Sequence, residues 1–247
     1  MPRISAYHRP TSIDGALALL HRPATRTVIL AGGTSVVPMK QEQPTEVVDL
    51  QALGLAGVCV ADDGRIVIGA TTSLQDVADA PVLAAVLREA AKREQPSTLR
   101  SLATIGGAVV ERSAESELLA TLLAFDATLA FTNLNGTHER SLDDTLADPS
   151  VLHGAIVTAL TVSVDGVASA ARTGRTPHDT PIVSVVGRRR SDGSTVIAAS
   201  GVADTPVLLA DPTSVEPPTD FRGSTDYRRH LAVELHARVT AALEVLS

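Results

Sequence analysis

The sequence is poor in the residues on which several common functional sites depend. It has one cysteine, Cys59, no tryptophan, and only 2% aromatic residues in 247 positions. A single cysteine excludes an internal disulfide and any metal cluster held by several cysteines. The formal net charge is −7, whereas a nucleic-acid groove needs clustered positive charge. These absences argue against a disulfide-stapled, cluster-bearing or nucleic-acid-binding protein.

Long apolar runs are also missing. No apolar stretch approaches the roughly 20 residues that span a bilayer, and Met1–Ile4 lacks the apolar core of a signal peptide. We therefore expect a cytoplasmic protein. With so few aromatic residues, the core must consist of alanine, valine and leucine, which fits helices packed on sheets. Cys59 lies in an apolar, strand-like run and is predicted to be buried.

The titratable residues show one dense cluster and no metal-binding pattern. The basic run Arg188–Arg190 precedes a Ser-Asp-Gly-Ser turn. It predicts the solvated end of a hairpin, and the alternative is a contact to a partner or an anion. The seven histidines lack the spacing that is typical of metal ligands. We therefore predict no metal site.

Two glycine motifs are the most informative feature of the chain. Ala31–Ser35 follows the apolar run Thr27–Leu30, and Thr104–Ala108 precedes a second apolar pair. Paired glycines can adopt positive φ and lack Cβ, so their N–H groups can surround an anion. Neither motif has the spacing of the Rossmann fingerprint, and the chain has no P-loop. Together the motifs predict a diphosphate site built from two loops, as a dinucleotide cofactor would need.

The hydrophobic pattern predicts helices and strands along the whole chain. Apolar periodicity predicts helices near residues 116–125 and 226–246, and an Asp-Gly turn predicts a hairpin near 58–69. The segment Ser169–Pro181 is rich in small, basic and proline residues. It predicts an extended loop.

Six short motifs follow one another along nearly the whole chain. They are Tyr7–Ser12, the A-G-G-T of Leu30–Thr34, the I-G-A-x-T of Ile66–Thr72, the R-x-x-x-T-x-G-G of Arg100–Gly107, the L-L-A-x-D-A of Leu118–Ala127 and the G-S-x-x-Y-R-R of Arg222–Ala232. In this order they resemble the FAD-binding subunit of the molybdenum hydroxylases. That family includes xanthine dehydrogenase and aerobic carbon monoxide dehydrogenase.

The resemblance implies an α+β fold with three parts. Residues 1–53 and 54–165 would form a two-lobed FAD-binding cradle like that of vanillyl-alcohol oxidase. Residues 166–247 would form a C-terminal α+β lobe of antiparallel strands and a helix.

The resemblance also implies a role in electron transfer. In this family a molybdopterin-binding large subunit oxidises the substrate, a 2Fe-2S small subunit carries electrons, and FAD delivers them to an acceptor such as NAD or dioxygen. This chain has no cysteine set for clusters and is too short for a molybdopterin site. It would be the FAD-dependent subunit of an oxidoreductase complex, with the other two subunits as partners. No side chain is then needed as a catalytic residue.

The resemblance assigns cofactor contacts to the two glycine motifs and to two charged residues. The predicted FAD-binding residues are Ala31, Gly32, Gly33, Thr34, Ser35, Val36, Thr104, Gly106, Gly107, Ala108, Glu117 and Arg172. Ala108 stands where the family carries asparagine, which removes a side-chain hydrogen bond. Glu117 could accept from ribose or ribityl hydroxyls, or lie solvated near a helix N-terminus. Arg172 could oppose negative charge on a reduced flavin, or be a surface-loop arginine.

Two alternative functions remain open. The region between residues 143 and 169 is shorter than in typical members and lacks the aromatic residues that cover the flavin. Together with Ala108, this allows a degenerate scaffold with weak or no FAD binding. The other alternative is a stand-alone flavoenzyme on the same fold.

Overall fold

The computed structural model describes residues 4–37, 44–174, 176 and 179–246, and it contains three β-sheets. The first sheet consists of β1 (Ile4–His8), β2 (Thr27–Leu30) and β3 (Thr45–Asp49), which are parallel in the order β1-β3-β2. Helix α1 (Ile13–Leu20) connects the first two strands. It begins after Ser12, whose side chain accepts a hydrogen bond from the Gly15 N–H.

The second sheet is antiparallel, in the order β4-β5-β8-β6-β7. Its strands are β4 (Val58–Val60), β5 (Ile66–Gly69), β6 (Thr128–Asn133), β7 (Gly136–Ser141) and β8 (Ile156–Val162). The predicted hairpin near 58–69 is present as the β4–β5 pair. The predicted burial of Cys59 is wrong, because its strand β4 is the edge of the sheet and the cysteine is exposed.

Five helices lie between β5 and β6, and one follows β7. They are α2 (Leu74–Asp79), α3 (Ala85–Glu94), α4 (Ser97–Arg100), α5 (Ile105–Glu111), α6 (Glu117–Ala124) and α7 (Leu142–Ala147). All of these helices except α4, together with the second sheet, form the largest apolar core of the described chain.

The third sheet is antiparallel and is covered by the C-terminal helix. Its strands are β9 (Val167–Thr173), β10 (Val183–Arg189), β11 (Thr195–Ser200) and β12 (Val207–Leu208), and the helix is α8 (Thr225–Val245). The predicted loop over Ser169–Pro181 is therefore wrong in its first part. Small alternating residues hide the strand signal, but β9 pairs with β10 along seven positions. Residues 175, 177 and 178 lie outside the described residues.

Helix α6 explains how the second and third sheets share one interior. All eight of its residues are buried. It packs against α3 and against strands β10 and β11. A helix that is covered by neighbours on several sides needs apolar residues on more than one face.

Arg188 corrects the prediction of a solvated basic hairpin end. Its side chain is fully buried, and it pairs with Asp126 and with Asp165. Arg190 also pairs with Asp126, at 2.6 Å. The run therefore includes a buried ionic anchor, because two aspartates from preceding turns lie beside β10.

The architecture is α+β, as predicted. The three sheets follow one another in sequence, and the predicted lobe boundaries after residues 53 and 165 fall between them. The boundaries themselves stay predictions. Within the described ranges, no helix combines the length and apolar composition of a membrane span.

Candidate functional site

A cleft lies between the loop after β2 and the helices of the second sheet. Its volume is about 450 Å³, and we call it the main cleft. Ten of the twelve predicted cofactor-binding residues line it, and they are Ala31, Gly32, Gly33, Thr34, Ser35, Val36, Thr104, Gly106, Gly107 and Ala108. The structure therefore brings the two glycine motifs together across one opening.

The first motif is a tight loop held close to the second lobe. Gly33 has a φ of 74°, which favours glycine, and its carbonyl accepts from the Val37 N–H at 3.0 Å. A Cβ on Gly32 would stand 1.9 Å from the Leu102 carbonyl oxygen. Both glycines are thus required by geometry, one for backbone conformation and one for close approach.

This loop also presents free hydrogen-bond donors. Among the described residues, none accepts a hydrogen bond from the backbone N–H groups of residues 32–36. The hydroxyl groups of Thr34 and Ser35 lie in the same lining. Backbone N–H donors that have no acceptor among the described residues form a setting for an anionic ligand. We call residues 32–36 the donor loop.

The second motif differs from the prediction of an anion-binding turn. Gly106 and Gly107 lie inside helix α5 and do not have positive φ. The Gly106 N–H donates to the Ala70 carbonyl at 2.9 Å, and the Gly107 N–H donates to Thr104 Oγ1 at 3.1 Å. The Thr104 hydroxyl caps the helix, and the N–H groups of residues 105–108 all have acceptors within the protein.

The glycines of the second motif instead create space. A Cβ on Gly106 would stand 2.7 Å from the Ala70 carbonyl oxygen, so the helix packs directly on that backbone. Gly107 is exposed and lines the main cleft. A Cβ there would meet only the Thr104 hydroxyl, at 3.0 Å. The side of the cleft formed by the start of α5 therefore carries almost no protruding side chains, and we call it the smooth surface. It does not offer a second set of donors.

Most of the remaining lining is apolar. It includes Ile29, Leu50, Ala70, Leu74, Val110, Ala155 and Val157. The cleft thus combines polar donors on one loop with an apolar interior, as cofactor sites commonly do.

A smaller cavity of about 260 Å³ adjoins the main cleft, and we call it the side cavity. Glu94, Gln95 and Glu111 line both spaces. The pKa of Glu94 is raised to about 7, chiefly by burial and to a smaller extent by the nearby charges of Glu111 and Glu117. Hydrogen bonds from Ser116 and the Leu118 N–H oppose this rise in pKa.

The two charged residues predicted as cofactor contacts lie outside the lining of the main cleft. Glu117 lines the side cavity and is 4% exposed. It pairs with Arg93 at 2.9 Å and with Arg172 at 3.1 Å. The interpretations of a solvated glutamate and a surface-loop arginine are therefore wrong, because Arg172 lies on β9 and faces a buried carboxylate. Their contact with a cofactor stays a prediction.

Sequence reasoning missed the two acidic residues shared by both cavities. Glu94 ends α3 and Glu111 ends α5, and no motif marks either of them. They line the same two cavities because of where the fold places the ends of these helices, and a local sequence pattern does not reveal that. In the part of the chain that is described, no group of three potential ligands is arranged to hold a metal ion.

Comparison with known proteins identifies the family and the fold. A family model for the FAD binding domain in molybdopterin dehydrogenase matches residues 3–163. The uncharacterised protein YgfM of Escherichia coli K12 is 30% identical over an alignment of 256 positions, which covers 96% of both chains. The carbon monoxide dehydrogenase medium chain of Hydrogenophaga pseudoflava is 30% identical over 136 residues, covering 53% of this chain and 47% of that one. The structure of reconstituted CO dehydrogenase from Oligotropha carboxidovorans has the same fold, with a TM-score of 0.89, 23% identity and full coverage of both chains.

Proposed function

Because the chain belongs to the family of FAD-binding domains in molybdopterin dehydrogenases, we propose that it is the electron-transfer subunit of a molybdenum hydroxylase-type oxidoreductase. FAD is the cofactor of this family. Bound FAD would supply the redox chemistry, taking electrons from iron–sulfur centres and passing them to an acceptor such as NAD or dioxygen.

The donor loop is the observation that carries the proposal. A diphosphate offers several acceptor oxygens, and the N–H groups of residues 32–36 have no other described acceptor. Hydrogen bonds to charged groups contribute about 1.5–3 kcal/mol each. We propose that Ala31, Gly32, Gly33, Thr34, Ser35 and Val36 hold the diphosphate.

The other predicted residues would have different roles. Thr104, Gly106, Gly107 and Ala108 would form the smooth side of the cleft, where the absence of side chains leaves room for the cofactor. Glu117 would accept from a hydroxyl of the cofactor, and Arg172 would stand near its negative charge. The ion pair between these two residues would fix their positions.

The proposed partners are a molybdopterin-binding large subunit and a 2Fe-2S small subunit. The name of the related chain from Hydrogenophaga pseudoflava, a medium chain, supports an assembly of several subunits. Co-expression with candidate large and small subunits tests this. We expect one stable complex on gel filtration, whereas an FAD-loaded chain that turns over alone would favour the stand-alone flavoenzyme. A cytoplasmic location stays a prediction.

Cofactor binding is tested by a matched pair of helix variants. Gly107→Val would place a branched side chain in the main cleft, and we expect at least about a tenfold loss of FAD affinity by fluorescence titration. Gly15→Val is the control, because Gly15 also stands three residues after its capping hydroxyl, with Ser12 Oγ 3.1 Å from the added Cβ.

The two variants should have similar thermal stability, since both replace a helical glycine beside a cap. Only the cleft variant should lose affinity. Equal FAD affinity in the wild type and both variants would remove the cofactor from this cleft. Absence of FAD binding by the wild type would favour the degenerate scaffold.

A further inference from the structure

One hydrogen bond crosses the main cleft between its two walls. Ser35 Oγ, on the donor loop, donates to Glu111 Oε2 at 2.8 Å. Glu111 is the last residue of α5, and its side chain is exposed. The donor loop therefore already has an anion beside it, and that anion belongs to the protein.

The charge balance of the cleft makes this contact unusual for a diphosphate site. Glu94 and Glu111 are the charged residues of its described lining, which includes neither lysine nor arginine. The donors available in that lining are neutral N–H and O–H groups. A diphosphate bound there would therefore lie near a carboxylate without a described cation in the lining to offset the repulsion.

We propose that Glu111 is an internal competitor of the cofactor's diphosphate. In the cofactor-free protein its carboxylate accepts the hydrogen bond from the Ser35 hydroxyl. The carboxylate must move away before a diphosphate oxygen can accept from that hydroxyl. Glu111 thereby weakens cofactor binding and makes the cleft release its ligand more readily. The inference rests on the proposed function, since it places the diphosphate on the donor loop.

The test is FAD affinity after removal of the charge. In Glu111→Gln, we expect FAD to bind about threefold to tenfold more tightly, the size of one charge repulsion in a partly solvated site. Glu111→Ala should act in the same direction. Glu139→Gln is the control, because Glu139 is exposed on β7, lines neither cavity and changes the net charge equally.

Three further measurements separate competition from a structural effect. ADP, which has a diphosphate and no flavin, should show the same gain in affinity. The ratio of the FAD affinity of Glu111→Gln to that of the wild type should also shrink at high salt, because ions screen exposed charges. In a double-mutant cycle, Ser35→Ala should reduce affinity more in the Glu111→Ala background, where no side-chain acceptor remains at position 111 and the hydroxyl is free for the ligand.

The outcomes distinguish this inference from the proposed function. If wild type binds FAD and Glu111→Gln binds equally or more weakly, the competition is overturned and the proposed function stands. If neither protein binds FAD, both are overturned. Tighter binding by Glu111→Gln, with an unchanged control, supports both.

Discussion

Glu94 shows how a single residue acquires an unusual charge state from its neighbours. It ends α3, where it is half-buried between the main cleft and the side cavity. Burial is the largest cause of its raised pKa, and the carboxylates of Glu111 and Glu117 add to it. In the free protein this carboxyl group therefore changes charge close to neutral pH.

The raised pKa of Glu94 predicts the direction in which the stability of the folded chain changes with pH. The carboxyl group has an ordinary pKa of 4.5 and a pKa of about 7 in the folded chain. Between these values the folded state binds more protons than the unfolded state, so stability falls as pH rises. Glu94→Gln should remove that fall and be more stable than wild type at pH 8, by on the order of 1 kcal/mol.

Urea denaturation of the cofactor-free protein at pH 5 and pH 8 measures the effect. Glu89→Gln is a control on the same helix, since a hydrogen bond from Lys92 lowers the pKa of Glu89. That control should gain no stability at pH 8. A Glu94→Gln variant that is less stable than wild type at pH 8 would contradict the raised pKa.

Single residues also mark the limit of what the sequence predicts. The positive φ of Gly33 follows from glycine chemistry and was predictable. The burial of Arg188 was not, because it depends on Asp126 and Asp165, which reach the strand from separate turns. Cys59 is exposed on β4, which is an edge strand among the described residues. Local composition does not encode these relations.

At the scale of elements, two similar glycine motifs have become different structures. The first is a loop whose N–H groups at residues 32–36 have no acceptor in the described part of the chain, and the second is the start of helix α5. Thr104 decides this difference, because its hydroxyl caps the helix by accepting from Gly107. The sequence located both motifs in one site, but it did not distinguish the donor loop from the smooth surface.

Hydrogen exchange distinguishes the two motifs directly. Amides 32–36 have no described acceptor and should exchange rapidly in the free protein, whereas amides 105–108 already bond to Thr72, Ala70 and Thr104. Saturating FAD should slow exchange at 32–36 by at least about tenfold. The exposed turn at residues 192–194 is an internal control and should not change. Protection that appears only at 105–108 would place the diphosphate on the second motif instead.

Strand prediction failed where pairing, rather than composition, creates the element. β9 contains the sequence Val-Ala-Ser-Ala-Ala-Arg-Thr, which has few residues typical of strands. It is a strand because β10 offers a complete antiparallel ladder beside it. By contrast, α8 and the β4–β5 hairpin have strong local signals and form close to the expected positions.

At the scale of the molecule, Arg188 joins the third sheet to the second. From β10 it donates to the carbonyl groups of Ala124, at 2.9 Å, and Ser163, at 3.0 Å. It also pairs with Asp126 and Asp165, and its guanidinium lies 5.4 Å from the centre of the Phe125 ring. One side chain thus satisfies polar groups after α6 and after β8.

Removing the Arg188 side chain should destabilise the whole chain rather than one hairpin. Arg188→Ala removes the side-chain donor to the Ala124 and Ser163 carbonyl groups and takes one buried cation away from Asp126 and Asp165, so we expect a loss of about 3 kcal/mol in the free energy of unfolding. Arg65→Ala is the matched control, because Arg65 pairs with Asp63 at an exposed hairpin end. The free energy of unfolding of Arg65→Ala should fall by less than about 0.5 kcal/mol. Urea denaturation followed by far-ultraviolet circular dichroism measures both. Equal small losses in the two variants would mean that the sheets are joined by apolar packing around α6 alone, and that Arg188 adds no net stability to their contact.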